Sequence, residues 1–147
     1  MAKGEISFKV QIDADAFDFF QKEAPEKLTL ARRKAVEAAG MIWADTAKRI
    51  TRDENHIDTG LFVNSIGYKT DFPATGKSGR PVRSATEDDV VYELSETNDA
   101  TTLAIGSNVE YAIILEERYH IMARALDVAE SRIQQVSEFQ VKKTLFE

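Results

Sequence analysis

The sequence predicts a single α+β domain, in which an antiparallel sheet of about four strands packs against a long helix (about 26–52) and a C-terminal helix (about 120–138). Two observations carry that prediction. Helical periodicity is concentrated in two long segments, and period-two alternation recurs in short runs before and between them. The order β-α-α-β-β-β-α-α gathers strands mid-chain and sets helices on either side, the arrangement of α+β proteins rather than of alternating parallel units. At 147 residues, 43% hydrophobic and 30% charged, the chain matches one globular domain over 1–147 with a core that needs no staples.

Residues 5–12, EISFKVQI, alternate Ile6, Phe8, Val10 and Ile12 against polar neighbours and read as a half-buried strand. Asp13 is placed to cap a short helix carrying Phe17 and Phe20. Pro25 suits the first turn of the long helix. Leu28, Ala31, Ala35, Ala39, Ile42 and Thr46 form one stripe on that helix, and Val36, Trp43, Ala47 and Ile50 an adjoining one. Its polar remainder holds Arg32, Arg33, Lys34, Glu37, Asp45, Lys48 and Arg49. Residues 65–71 read as a strand with Ile66, Tyr68 and Thr70 on one face. The stretch 73–86 has two prolines, two glycines and no period, and is expected to be a flexible loop. DVVYELS and TTLAIGS read as two strands of a hairpin joined through ETNDA. VEYAIILEE is a short apolar helix or turn, and Met122, Ala125, Leu126, Ala129, Ile133 and Val136 mark the buried stripe of the last helix.

Composition narrows function. A net charge of −6 and a pI of about 5.0 argue against a module that wraps duplex DNA through neutralised phosphates. With no cysteine, disulfides, thiolate catalysis and cysteine-based zinc sites are excluded. No apolar run approaches the ~20 residues that span a bilayer, and the first residues lack the apolar core of a signal peptide, so neither membrane insertion nor export is expected.

Asp58-Thr59-Gly60 is the tripeptide of aspartic proteases, whose chemistry needs two carboxylates sharing one proton. A single copy would demand a homodimer in an all-β fold, whereas here the tripeptide follows a long helix. The alternative is structural: Asp58 or Thr59 caps a helical turn or holds a bend, and Gly60 supplies an unusual backbone conformation. Gly76-Lys77-Ser78 lacks the upstream glycine and the following helix of a phosphate loop. His56 and His120, the only histidines, have no second ligand at helical spacing, and neither Ser65 nor Ser107 has a histidine beside it in sequence. No catalytic, cofactor or metal site is expected. Lys77, Arg80 and Arg83 make the 73–86 loop locally basic and are candidate contacts to a subunit or partner, the alternative being a solvated loop.

Two separated segments, taken in order, resemble the neck and tail-completion proteins of long-tailed double-stranded DNA bacteriophages. Asp58-Thr59-Gly60 with Phe62, Ser65 and Ile66 matches a Pro-x-Asp-Thr-Gly-x-Leu-x-x-Ser-Ile segment, with His56 in place of the proline and Phe62 of the leucine. Gly106-Ser107 with Tyr111, Ala112 and Glu116 matches Gly-(Ser/Thr)-x-x-x-Tyr-Ala-x-x-x-Glu. His120 to Leu126 stands where that family opens its last helix with Pro-Phe. The resemblance spans roughly 26–136. It implies that Asp58-Thr59-Gly60 turns the chain from long helix to sheet, with Ser65 and Ile66 starting a strand. It further implies a non-enzymatic virion protein, made in the host cytoplasm and placed at the head–tail junction. Such a protein forms a six-fold or twelve-fold ring between an adjacent connector protein and the tail tube. Genomic DNA then passes through the lumen without sequence-specific binding. The competing expectation is a DNA-binding packaging accessory, which requires the basic loop to cluster with Arg32, Arg33 and Lys34.

Overall fold

Alternation in the first strand and the length of the two helical stripes set the architecture. The computed structural model describes residues 4–13, 17–54, 56, 60–72 and 83–147. Strand β1 (Glu5–Gln11) leads to a short helix α1 (Asp18–Glu23) and the long helix α2 (Pro25–Asp53). A helical turn α3 (Leu61–Ser65) follows, then strands β2 (Val90–Glu96) and β3 (Ala100–Ser107), and helices α4 (Ala112–Tyr119) and α5 (Ile121–Phe146). The sheet order is β1-β3-β2, antiparallel throughout, so the N-terminal strand passes over β2 to pair with the last one.

Period two puts Ile6, Phe8 and Val10 of β1 on the same face as Leu103 and Ile105 of β3, and this face packs on α2 and α5. Alanines at 31, 35, 39, 44 and 47 are wholly or almost wholly buried, so the backbone of α2 comes close to its neighbours. Gly40 extends that close approach, since a Cβ there would sit 2.7 Å from Leu103 Cδ2. Trp43 fills the centre and its indole N–H donates to the Met122 carbonyl at 3.1 Å, giving the ring's one polar atom a partner. Helices α2 and α5 run antiparallel: Trp43 meets the start of α5, and Leu28 and Ala31 meet Leu145 at its end.

Four expectations need correction. Among the described residues the sheet has three strands, because 65–71 is not one: Leu61–Ser65 closes a helical turn and 66–72 is irregular. Helix α5 continues past 138 to Phe146, as no glycine or proline stops it and Leu145 is buried against Leu28 and Ala31. Leu126 lies exposed beside the buried stripe rather than in it. At α1, Phe17 and not Asp13 takes the cap position. Most of the 73–86 loop lies outside the described residues. Among the described residues no helix is long and apolar enough to cross a membrane.

Candidate functional site

Gly60 adopts a left-handed conformation, φ 86°, at the N-cap of α3, and this turns the chain so that Leu61, Phe62 and Val63 enter the core. At the far end of α3 the buried Ser65 hydroxyl donates to the Phe62 carbonyl at 2.8 Å and lies 2.7 Å from Ser107 Oγ. Because Ser65 spends its one hydrogen on Phe62, Ser107 is the donor between the two hydroxyls. Ser107 Oγ in turn accepts the Val109 N–H at 3.3 Å. One step along each segment, the Gly67 N–H donates to the Gly106 carbonyl at 2.9 Å. The two matched segments, 42 residues apart at their serines, therefore form one buried hydrogen-bonded unit where α3 meets the end of β3. Ser65 ends a helix here and does not begin a strand.

The second segment continues into α4. Ala112 is wholly buried and Tyr111 half-buried against the core. Glu116 reaches over the α4–α5 junction, its carboxylate accepting the Met122 N–H at 2.7 Å and the Ala123 N–H at 3.1 Å. Helix α5 needs this from outside, because His120 at its cap position is left-handed, φ 52°, and caps nothing with its side chain. A carboxylate on those first N–H groups also meets the positive end of a 26-residue helix. Glu116→Ala is therefore expected to cost about 1 kcal/mol of stability, and Glu116→Gln, which keeps an acceptor, about half of that. Urea unfolding followed by circular dichroism measures both.

A cluster that sequence spacing does not reveal ties the end of α2 to the same junction. Arg124 holds Glu54 in a two-pronged pair at 2.6 Å for each prong, and its Nε–H donates to the Tyr119 carbonyl at 3.0 Å. His56 stacks on Tyr119 with ring centres 3.7 Å apart and places Nε2 3.1 Å from Glu54. Hydrogen bonding from Arg124, then from His56, lowers the Glu54 carboxyl to about 2. The unfolded value is about 4.3. This group's contribution is therefore complete above the unfolded value and is lost as pH falls toward 2. Glu54→Gln is expected to flatten that part of the acid-unfolding curve, read as the denaturation midpoint against pH.

Two cations assigned to the polar side of the long helix are in fact buried, and for both the reason is local hydrogen bonding. Arg32, 4% exposed, donates to Thr101 Oγ1 at 3.3 Å, Thr29 Oγ1 at 3.4 Å and the Thr97 carbonyl at 3.3 Å. Lys48, 1% exposed, donates to the carbonyls of Val63 and Tyr68, each at 2.9 Å, and to Thr70 Oγ1 at 3.2 Å. Arg33 is held by Glu96 at 2.9 and 3.1 Å. Of the three basic residues that a DNA-binding face requires on α2, Lys34 alone is exposed with no ion pair among the described residues.

Asp58, Thr59, Lys77 and Arg80 lie outside the described residues, and Arg83 is exposed. Among the described residues no group of three or more His, Asp or Glu side chains is placed to hold a metal ion. The Ser65 and Ser107 hydroxyls are engaged with each other and with backbone groups, while His56 engages Glu54 and Tyr119. No family model, curated protein or solved structure matches this chain.

Proposed function

We propose that this chain is a structural virion protein of a phage or prophage, forming a ring at the head–tail junction as a neck, tail-completion or tail-termination component. The observation that supports this reading is the meeting of its two matched segments. Residues that carry the resemblance in order along the chain, Gly60, Ser65, Gly106, Ser107 and Glu116, are spent on one buried junction and on capping the last helix. Such residues specify a scaffold, and a scaffold whose motif residues face inward leaves its outer surfaces to subunit contacts. In this reading the partners are further copies of the chain, an adjacent connector protein and the tail tube protein. A net charge of −6 fits a lumen along which DNA slides, because like charge keeps phosphates from sticking.

Disrupting the gene in its phage and imaging the lysate by electron microscopy tests the proposal. Separate DNA-filled heads and free tails, or tails of abnormal length, are the expected result. Normal infectious particles would overturn it.

A further inference from the structure

The three-stranded sheet has two open edges. Among the described residues nothing pairs with the outer side of β1 or of β2. The Ser107 N–H bonds the Gly4 carbonyl, which fixes the parity of the β1–β3 ladder. Ile6, Phe8 and Val10 bond inward to β3, and Ser7 and Lys9 direct their N–H and C=O outward. In the same way the Asn108 N–H to Asp89 carbonyl bond leaves the backbone groups of Tyr92 and Leu94 outward on β2. Unpaired edges of this kind are templates for another strand.

We infer that a second copy of this chain docks by strand addition, its β2 lying parallel to the outer edge of β1. This deepens the ring reading and rests on it. Both edge strands are antiparallel to β3, so they are parallel to each other, and each is seven residues long. A copy displaced sideways thus presents β2 to β1 in the right direction. The side chains match as well. Tyr92 and Leu94 are 40% and 38% exposed although they sit on the helix-facing side of the sheet, because among the described residues no element lies beyond β2 to cover them. Beyond β1 there is room on that same side. Hollows of about 640 Å³ at Ile6, Met122 and Leu126 and about 330 Å³ at Val10, Phe17 and Val141 lie between the free edge and α5.

Charge selects unlike edges. Lys9 is exposed near the middle of β1 and Glu93 near the middle of β2, both on the face away from the helices. Neither has an ion pair among the described residues. Strand β2 against a second β2 would bring Glu93 of both copies to one seam, whereas β1 against β2 sets Lys9 beside Glu93. An interface between two different edges of one chain is head-to-tail, and it closes into a ring when its rotation divides the circle.

Sedimentation velocity on the purified chain up to millimolar concentration tests the seam. The unmodified chain is expected to self-associate. Lys9→Glu and Glu93→Lys should each weaken association about tenfold, and the double variant should restore it. Circular dichroism checks that the variants, altered at exposed positions, remain folded. A chain that stays monomeric throughout, single variants that associate unchanged, or a double variant that fails to recover would each overturn the seam. None of these outcomes touches the gene-disruption result, so the failure of the seam and the failure of the ring reading are told apart.

Discussion

Gly106→Val is expected to leave the protein without its native fold, and Gly106→Ala to cost about 3 kcal/mol. The cause is space and not backbone freedom. A Cβ at Gly106 would lie 2.0 Å from the Gly4 carbonyl oxygen and 2.6 Å from Glu5 Cα. These are backbone atoms of the arriving β1, fixed there by the 2.7 Å bond from the Ser107 N–H to Gly4. No rotamer change relieves such a contact. The start of β1 must leave β3, which loosens Ile6 from the core and opens the adjoining Gly67–Gly106 bond. Gly40→Ala is the control. The Cβ there meets only the side-chain ends of Leu103, at 2.7 Å, and Ile105, at 3.1 Å. Those ends give way, and alanine's better helix propensity returns up to about 1 kcal/mol, so the net change should be small. Urea midpoints for the two alanine variants decide the matter. Equal midpoints would show that β1 approaches Gly106 less closely than the structure has it.

The legible parts of the fold were those whose cause is carried in their own sequence. Helix α2 repeats its small and apolar residues over 29 positions, and β1 alternates cleanly from Ile6 to Val10. The misread strand shows where that logic ends. Ile66, Tyr68 and Thr70 do alternate, yet the Thr70 N–H bonds the Asn64 carbonyl at 3.1 Å and the Phe72 N–H bonds Asn64 Oδ1 at 2.9 Å. With the Tyr68, Thr70 and Phe72 N–H groups turned on their own segment, the Tyr68 carbonyl on Lys48, and only Gly67 bonded to β3, the stretch has no ladder to offer. Gly67, φ 73°, in the middle of the run was the available sign, since a glycine inside a strand pattern marks a break. At the site, Glu116 was named from its place in a motif, but its work on the first turn of α5 became visible only with the fold. The Glu54–Arg124 pair, 70 residues apart, and the inward turn of Arg32 and Lys48 left no mark in periodicity, because charge type alone suggested solvent.

Lys48→Met is expected to destabilise the protein by about 2 kcal/mol near neutral pH, and by more as pH rises. Methionine keeps the apolar stem but removes the donor that gathers the Val63 and Tyr68 carbonyls, and each orphaned buried acceptor costs about 1–3 kcal/mol. Part of that loss is offset, because the substitution also removes a desolvated ammonium. The size of the offset depends on pH in a direction that can be checked. Burial lowers the folded pKa of Lys48 to about 8, partly countered by Asp45. An unfolded lysine holds its proton to about 10.4. Below the folded value both states are protonated and the burial cost is present in full. Above it the folded chain releases the proton first, so the unmodified protein gains stability with rising pH while the methionine variant does not. Tyr68, raised to about 12 from 10.0 by burial and by its bond to Asp45, acts in the opposite sense only once pH passes 10. The stability difference between the two proteins should therefore widen between pH 8 and 10. Urea unfolding at several pH values in that window measures it. A difference that stays constant across the window would mean that the ammonium is as well solvated folded as unfolded, whereas no difference at any pH would mean that α3 is held to α2 by packing and not by this side chain.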